Sequence, residues 1–342
     1  MKTGFVAVLL VGLLVAVLIG CAPDDGGSAP QEEATFPESS GEFAIQGLTW
    51  RSIAYYYHPG IYEEIYNAEA NLRLVYKAKN VGANYLMVRA FYDCAEDGSL
   101  LGDDAAAEAC LSEAIATAHS YGISIFLTPF VESMEFWPER KWHLSVDAWT
   151  KAMLHWAAFA EANDVEMFAP GFELGLIMDT EQSVAWFPAI LPQIRQVYSG
   201  QVVCAEVPYG EPWDFLDAHG VFSGYDGIGV TLFPWMDYDG VHDLRGFDDL
   251  ATFIEEKATS LDETVARYGA DFGFIATLGM DDWYGAWPDP DILAIGYGVA
   301  MDIFKEHNIG GLVLHLWASE PDQLGESTEV EAMLKARWTV LE

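Results

Sequence analysis

One acidic residue of this chain, Glu173, follows a strand-like segment and is the first candidate for chemistry. Residues 165–168 are mostly apolar and predict a β-strand, which Pro170 and Gly171 bring to an end. A carboxyl group in this place can serve as a general acid or base if apolar surroundings raise its pKa. Because most glutamates are solvated surface residues, an ordinary loop acid is the better interpretation of Glu173 taken alone.

The other strand-like segments also end in polar and aromatic side chains. Aromatic rings stack on the C–H faces of sugars, and acids and arginine bind the sugar hydroxyls. We therefore expect a carbohydrate ligand, although each aromatic taken alone is also typical of a buried core. The predicted contacts with this ligand are Trp50, Tyr56, Arg89, Tyr92, Glu132, Tyr209, Phe233, Trp235, Trp283, His315 and Trp317.

The elements that must position these residues alternate between strand-like and helix-like segments, as in a parallel sheet covered by helices. The eight predicted strands are 47–50, 85–89, 123–127, 165–168, 202–206, 227–231, 272–276 and 311–317. The predicted helices are 68–80, 103–121, 146–163, 180–198, 247–268 and 292–307. This order favours an α/β fold, a single-domain (β/α)8 TIM barrel. An open doubly wound sheet is the alternative, but its Gly-rich phosphate-binding sequence follows none of the strands.

The amino terminus resembles a lipoprotein signal peptide. Residues 1–20 combine an early lysine with an apolar run, and a small residue precedes Cys21. We expect cleavage there, lipid attachment to Cys21, and export to the cell surface with the chain anchored in the membrane. An uncleaved membrane anchor is the alternative. Residues 21–43 are rich in Pro, Gly, Ser and acid and predict a disordered linker. The barrel domain is then 44–342.

The charge of the chain is strongly negative, with 53 acidic against 16 basic residues and a formal net charge of -37. This excludes a typical nucleic-acid-binding protein, because phosphate contacts require clustered Lys and Arg. The acids are spread along the whole sequence, which favours a solubilising surface or adaptation to a salty medium.

The remaining cysteines predict no metal or cofactor site. Cys94 and Cys110 flank an acidic loop and could form a disulfide in an oxidising compartment. Cys204 lies in an apolar strand and is expected to be a buried thiol. No CxxC or Cys/His cluster suggests zinc, and we predict no cofactor.

Several motifs together resemble a known family. They are Gly-Leu-Thr-Trp at 47–50, Gly-Ala-Asn-Tyr at 82–85, the segment 118–129, and Phe-Ala-Pro-Gly-Phe-Glu-Leu at 168–174. In order and spacing they resemble the retaining glycoside hydrolases of the large barrel clan, and most of all glycoside hydrolase family 113, the β-mannanases. The resemblance extends from Gly47 to Trp317.

The resemblance implies a role for particular residues. Glu173 takes the position of the general acid/base. Phe172 stands before it, where members of the clan often carry Asn or Thr. Thr277 occupies the position of the nucleophilic glutamate at the end of the seventh strand, and we include it among the cleft residues. Because a glycosidase needs two carboxyl groups, Glu206 and Asp282 are the candidates for the second one, on position alone.

Two functions from different classes follow. The first is a lipid-anchored glycoside hydrolase that cleaves a β-linked polysaccharide or oligosaccharide such as mannan. The second is a non-catalytic carbohydrate-binding lipoprotein that keeps the cleft and has lost the nucleophile. Neither hypothesis fixes an oligomeric state.

Overall fold

Eight parallel strands close into a barrel in the computed structural model of the protein. Neighbouring strands pair in the order β1-β2-β4-β5-β6-β7-β8-β9, and β9 returns to pair with β1, which closes the ring. The two-residue strand β3 is antiparallel to the end of β2 and lies outside the ring. The structure describes residues 38–50, 60–95, 97–102, 104–131, 144–208, 210–233, 246–279, 290–307, 309–315 and 328–340.

The strands and helices alternate along the chain. The strands are β1 (Ile45–Thr49), β2 (Tyr85–Cys94), β3 (Leu100–Leu101), β4 (Ser124–Val131), β5 (Met167–Phe168), β6 (Gln201–Glu206), β7 (Gly227–Leu232), β8 (Phe272–Leu278) and β9 (Gly311–Leu314). The helices are α1 (Ile61–Ile65), α2 (Ala68–Asn80), α3 (Asp104–Ser120), α4 (Val146–Ala162), α5 (Leu174–Ile177), α6 (Thr180–Ile194), α7 (Gly210–Ala218), α8 (Phe247–Tyr268), α9 (Pro290–Glu306) and α10 (Thr328–Trp338). The predicted TIM barrel is confirmed.

The predicted element limits hold best where the chain carries its own capping signals. Helix α2 matches the prediction, because the Asn67 side chain accepts a hydrogen bond from Ala70 N and bases lie in its last turn. Helix α6 ends at Ile194, four residues before the predicted end, and residues 195–197 form turns instead. The short elements α1, β3, α5 and α7 were not predicted. Among the described helices, none is long and apolar enough to cross a membrane.

Side chains alternate between two buried layers along each strand. One layer fills the barrel interior, and the other packs between the barrel and its helices. The interior layer consists of Ile45, Met87, Phe126, Met167, Ala169, Phe172, Val203, Ala205, Phe274, Ala276 and Val313. This alternation decides which residues at the ends of the strands point into the barrel mouth and which point towards the helices.

The segment before β1 pairs with the carboxyl terminus and is not part of a disordered linker. Ser39 forms a β-bridge with Thr339, and Val340 N donates to the Glu38 carbonyl. Arg337 of α10 forms an ion pair with Glu42 at 2.9 Å. The predicted linker limit at residue 43 is therefore wrong, because partners near the end of the chain order this acidic segment.

The described cysteines are free thiols. Cys94 is buried and Cys110 is partly buried, and no bond joins them, so the disulfide that the sequence left open is not formed in the structure. Burial also raises the pKa of each of these two thiols. Cys204 is buried on β6, as predicted.

Candidate functional site

The carboxyl ends of the strands form one mouth of the barrel, and its polar residues come from strands on different sides of the ring. Arg89 of β2 is two residues beyond interior Met87 and therefore faces the same side. Thr231 of β7 and Thr277 of β8 are register partners. His315 follows β9 two residues after interior Val313.

Glu173 joins this mouth from the connection between β5 and α5. Its backbone N–H donates to the Ala205 carbonyl at 3.0 Å, and the preceding Phe172 forms a parallel bridge with Ala205. Glu173 itself has φ 55° and ψ 28°, the left-handed conformation that is unfavourable for a residue with a Cβ atom. The side chain is half-buried. Strain of this kind is typical of functional sites.

The electrostatic surroundings of Glu173 suit an acid that must be protonated when it acts. Burial raises the pKa of the Glu173 carboxyl, whereas a hydrogen bond with Thr231 and the positive charge of Arg89 lower it. Burial has the largest effect, so the net pKa lies above that of an ordinary glutamate. A raised pKa is what a general acid requires near neutral pH.

Arg89 packs against two adjoining aromatic rings at the floor of the mouth. Its guanidinium carbon is 4.9 Å from the centre of the Phe130 ring and 5.1 Å from that of Phe172. Contacts of a guanidinium with ring faces are attractive, especially away from water, and Arg89 is only 5% exposed. Phe172 thus packs against the buried cation.

His315 and Phe233 close the other side of the mouth. Their ring centres are 5.3 Å apart in an edge-to-face arrangement, and His315 N donates to the Leu278 carbonyl. Burial and the charge of Arg89 lower the pKa of His315 to about 3. The imidazole is therefore neutral at physiological pH and offers one donor and one acceptor nitrogen.

Thr277 is fully buried at the end of β8. The pairing of β7 and β8 shifts its register between Val230 and Thr231. Because of this shift, Thr277 is paired with Thr231 and lies on the interior side of the barrel. The Thr277 hydroxyl donates to the carbonyl of Ala276 at 2.7 Å. Among the described residues, the acceptor of this hydroxyl is a backbone carbonyl, which is not a base that could activate it.

Glu206 does not share the interior of the mouth with Glu173. It pairs with Val230, which belongs to the outer layer, whereas its neighbour Ala205 faces the interior. Both of its carboxyl oxygens accept backbone N–H groups, from Leu174 at 3.0 Å and Gly175 at 3.1 Å. Burial raises its pKa to about 8, against the opposing effect of these hydrogen bonds. The prediction that Glu206 is the second catalytic carboxylate is contradicted by this orientation.

Trp50 and Tyr92 also point away from the interior. Trp50 is buried against Tyr66, with ring centres 5.8 Å apart. The Tyr92 hydroxyl donates to Asp104 and accepts from Trp156 Nε1, among the side chains of α3 and α4. Both residues belong to the hydrophobic layer under the helices, and they have this structural role in place of the predicted contact with a sugar.

The remaining predicted residues lie outside the part of the chain that the structure describes. They are Cys21, Tyr56, Glu132, Tyr209, Trp235, Asp282, Trp283 and Trp317.

One mouth residue, Thr231, was not singled out from the sequence. Thr231 forms a hydrogen bond with Glu173. Side chains alternate between the two faces of β7, so Thr231 lies on the same face as Gly227 and Gly229. This pattern could have indicated from the sequence that Thr231 faces the mouth. Within the described ranges, no group of three or more His, Cys, Asp or Glu side chains is arranged to hold a metal ion.

Comparison with protein families identifies the family of the chain. The model of Glycoside Hydrolase Family 113 matches residues 60–276, from the start of α1 into β8. The chain belongs to glycoside hydrolase family 113. The match includes Glu173 and Arg89 and ends one residue before Thr277.

Solved structures of mannanases share the barrel. A family 113 β-1,4-mannanase is 18% identical, with a TM-score of 0.62 over 86% of this chain and 98% of the other. The family 113 β-mannanase of Alicyclobacillus acidocaldarius is 16% identical, with a TM-score of 0.59 over 86% and 96%. The endo-1,4-β-mannanase of Rhizomucor miehei is 14% identical, with a TM-score of 0.57 over 88% and 99%. No curated protein matches the sequence.

Proposed function

We propose that this protein is a glycoside hydrolase for β-linked, mannan-like polysaccharides or oligosaccharides, with Glu173 as its general acid/base. The observation that carries the proposal is the position of Glu173. It is a half-buried carboxyl at the end of a barrel strand, and its pKa is raised by burial. Such an acid can protonate the leaving oxygen of a glycosidic bond and later accept a proton from water.

The family supplies the substrate class for this proposal. Two family 113 mannanases share the fold of this chain, and one of them is a β-1,4-mannanase. Arg89, Thr231 and the neutral His315 supply hydrogen-bonding groups around Glu173, and Phe233 supplies an apolar ring. A mouth with this composition suits a neutral sugar, whose hydroxyls and C–H faces need both kinds of contact.

The second carboxyl group must then come from a different residue. Glu206 faces the outer layer, and Thr277 has no carboxyl group. Asp282, four residues beyond the end of β8, remains our candidate. A distance of about 5–5.5 Å between the two carboxyl groups would make the enzyme retaining, and about 6.5–9.5 Å would make it inverting.

A second function is favoured by one specific observation. By the resemblance of the sequence to the family, Thr277 stands where the nucleophile is expected, and its buried hydroxyl donates to the Ala276 carbonyl. The alternative is therefore a carbohydrate-binding lipoprotein that keeps the mouth and does not hydrolyse its ligand.

Sugar release tests the two functions directly. Reducing sugar is measured on β-1,4-mannan and manno-oligosaccharides for the full chain, beside Glu173→Gln. We expect release by the wild type and a loss of about 10²–10⁴-fold in the variant. Asp164→Asn is the matched control, since Asp164 is the other described non-glycine residue with positive φ and lies exposed before β5. Binding without release by the wild type, measured by calorimetry, would replace the hydrolase with the second function.

A substrate with a better leaving group distinguishes an acid role of Glu173 from a general loss of activity. A 2,4-dinitrophenyl β-mannoside needs no proton on its leaving oxygen, so Glu173→Gln should lose much less rate in the bond-breaking step with this substrate than with mannan. Because the raised pKa keeps the acid protonated, kcat/KM on mannan should fall as pH rises through that pKa. Equal losses on both substrates would contradict the acid role of Glu173.

We further propose that the protein is anchored by lipid on Cys21 outside the cytoplasm. The support is the sequence of residues 1–21, with its apolar run and small residue before the cysteine. Cys21→Ser should move the protein from the membrane fraction to the soluble fraction when the chain is expressed with its own amino terminus. Retention of Cys21→Ser in the membrane would favour an uncleaved anchor.

A further inference from the structure

Glu206 connects the last residue of one barrel strand to the segment that carries Glu173. It ends β6, its side chain points to the outer layer, and it is 2% exposed. Its Oε1 accepts from Leu174 N at 3.0 Å and its Oε2 accepts from Gly175 N at 3.1 Å. These are the first two N–H groups of α5, which have no acceptor within the helix.

A third hydrogen bond ties the same two segments together. Glu173 N donates to the Ala205 carbonyl at 3.0 Å. Residues 173, 174 and 175 are thus held by three consecutive N–H groups to residues 205 and 206. Because Glu173 has φ 55°, this part of the chain would relax to another conformation if nothing held it.

The chemistry of a carboxyl group fits the task. In its ionised form this group has two acceptor oxygens on one carbon, which take two neighbouring N–H groups at once, and these hydrogen bonds favour the ionised form against the effect of burial. An amide has one oxygen and one NH2 group, so it would direct a donor towards one of the two N–H groups. An aspartate side chain is one methylene shorter, so its oxygens would not reach either of the two N–H groups.

From these contacts we propose that Glu206 is the positioning residue of the site, which holds Glu173 in its left-handed backbone conformation and so directs its carboxyl into the mouth. Glu206 contacts neither sugar nor the reacting atoms, and it acts only through residues 173–175. The inference rests on the proposed function of Glu173. Its structural part, the conformation of residue 173, is measured without any substrate.

The first test is kinetic and uses Glu206→Gln in the full chain. With mannan as substrate we expect kcat to fall on the order of 10²-fold and KM to change little, since displacement of a catalytic group by about 1 Å costs this much. The pH dependence of kcat/KM should also shift, because the surroundings of the Glu173 carboxyl change. Glu166→Gln is the matched control. Glu166 also accepts a backbone N–H, from Ile125 at 2.7 Å, but at the opposite end of the barrel. Unchanged kinetics and pH profile in Glu206→Gln would overturn the proposal.

The second test needs no activity. The titration of Glu173 is followed by ¹³C NMR of the labelled carboxyl, assigned with Glu173→Gln, and crystal structures give the φ of residue 173. We expect Glu206→Gln and Glu206→Asp to shift the titration and to bring residue 173 out of positive φ.

If the wild type releases no sugar, the hydrolase proposal fails, and this test alone decides the role of Glu206. A φ that stays positive in both variants overturns it. Failure of both to fold also overturns it, because Glu206 would then be a residue of barrel stability.

Discussion

At the scale of single residues, Gly171, two residues before Glu173, has no room for a side chain. A Cβ atom on Gly171 would lie 2.4 Å from Cε1 and 2.6 Å from Cζ of Phe187. Phe187 is fully buried, so its ring has no free space to move into. The glycine is therefore required here by close packing between α6 and the loop that leads to Glu173.

Gly171→Ala should destabilise the protein by about 1–3 kcal/mol, the usual cost of overpacking a core. It should also lower sugar release, since the displaced loop carries the proposed acid. Chemical denaturation and the mannan assay measure the two effects.

Gly298→Ala is the control for this substitution. The nearest atom to a Cβ at Gly298, in α9, is 4.0 Å away, and alanine is the better helix former by about 1 kcal/mol. We expect Gly298→Ala to be neutral or stabilising. Equal stability of the two alanine variants would refute the packing argument.

At the scale of elements, His307 links the end of α9 to α8. Its Nε2 is 2.8 Å from Glu255 Oε1, and its Nδ1 is 3.2 Å from Asp262 Oδ2. Partial burial lowers the pKa of His307, but the hydrogen bonds and charges of the two carboxylates outweigh burial and raise it above 6.5. The protonated imidazole therefore strengthens the contact between the two helices.

This contact predicts a pH dependence of stability. The folded pKa is above the unfolded value of about 6.5, so the contribution is complete below that value and is lost as pH rises through the folded pKa. His307→Gln should remove it, lowering Tm on the order of 1–2 °C at pH 5.5 and less at pH 9.

A scan of Tm against pH for both proteins measures the effect. His219→Gln serves as the control, because the His219 ring contacts the Phe215 carbonyl and not a carboxylate. A parallel offset of the His307→Gln curve at every pH would contradict the linkage.

The elements themselves were predictable, whereas the direction of their end residues was not. Helix α2 and helix α8 match their predicted limits, because turns and capping residues bound each amphipathic segment. Strand β6 reads Gln-Val-Val-Cys-Ala-Glu, with apolar residues on both faces. Such a strand carries no signal of which face is the interior, so Glu206 was wrongly predicted to face the mouth. The positive φ of Glu173 depends on contacts with residues 205 and 206, which no local pattern reveals.

At the scale of the whole molecule, negative charge is the dominant property. The chain carries a formal net charge of -37, and mutual repulsion of this size opposes the compact state. Dissolved salt screens such repulsion over about 10 Å at 0.1 M and about 3 Å at 1 M.

We therefore expect Tm to rise with sodium chloride from about 0.01 M to about 1 M, on the order of 5 °C. Potassium chloride at equal ionic strength is the control and should give the same rise if screening is the cause. A Tm that does not depend on either salt would show that the acids are too dispersed to oppose folding.

The bridge between Ser39 and Thr339 joins the segment before β1 to the segment after α10. A force applied through the preceding chain would therefore reach the barrel at this bridge. Glu38 and Ser39 lie beside the start of β1, at the end opposite Glu173, and Arg337 fastens the adjoining Glu42. A pull on the preceding chain would thus load α10 and the base of the barrel. The mouth, with Glu173, lies at the other end of the barrel and is remote from that load.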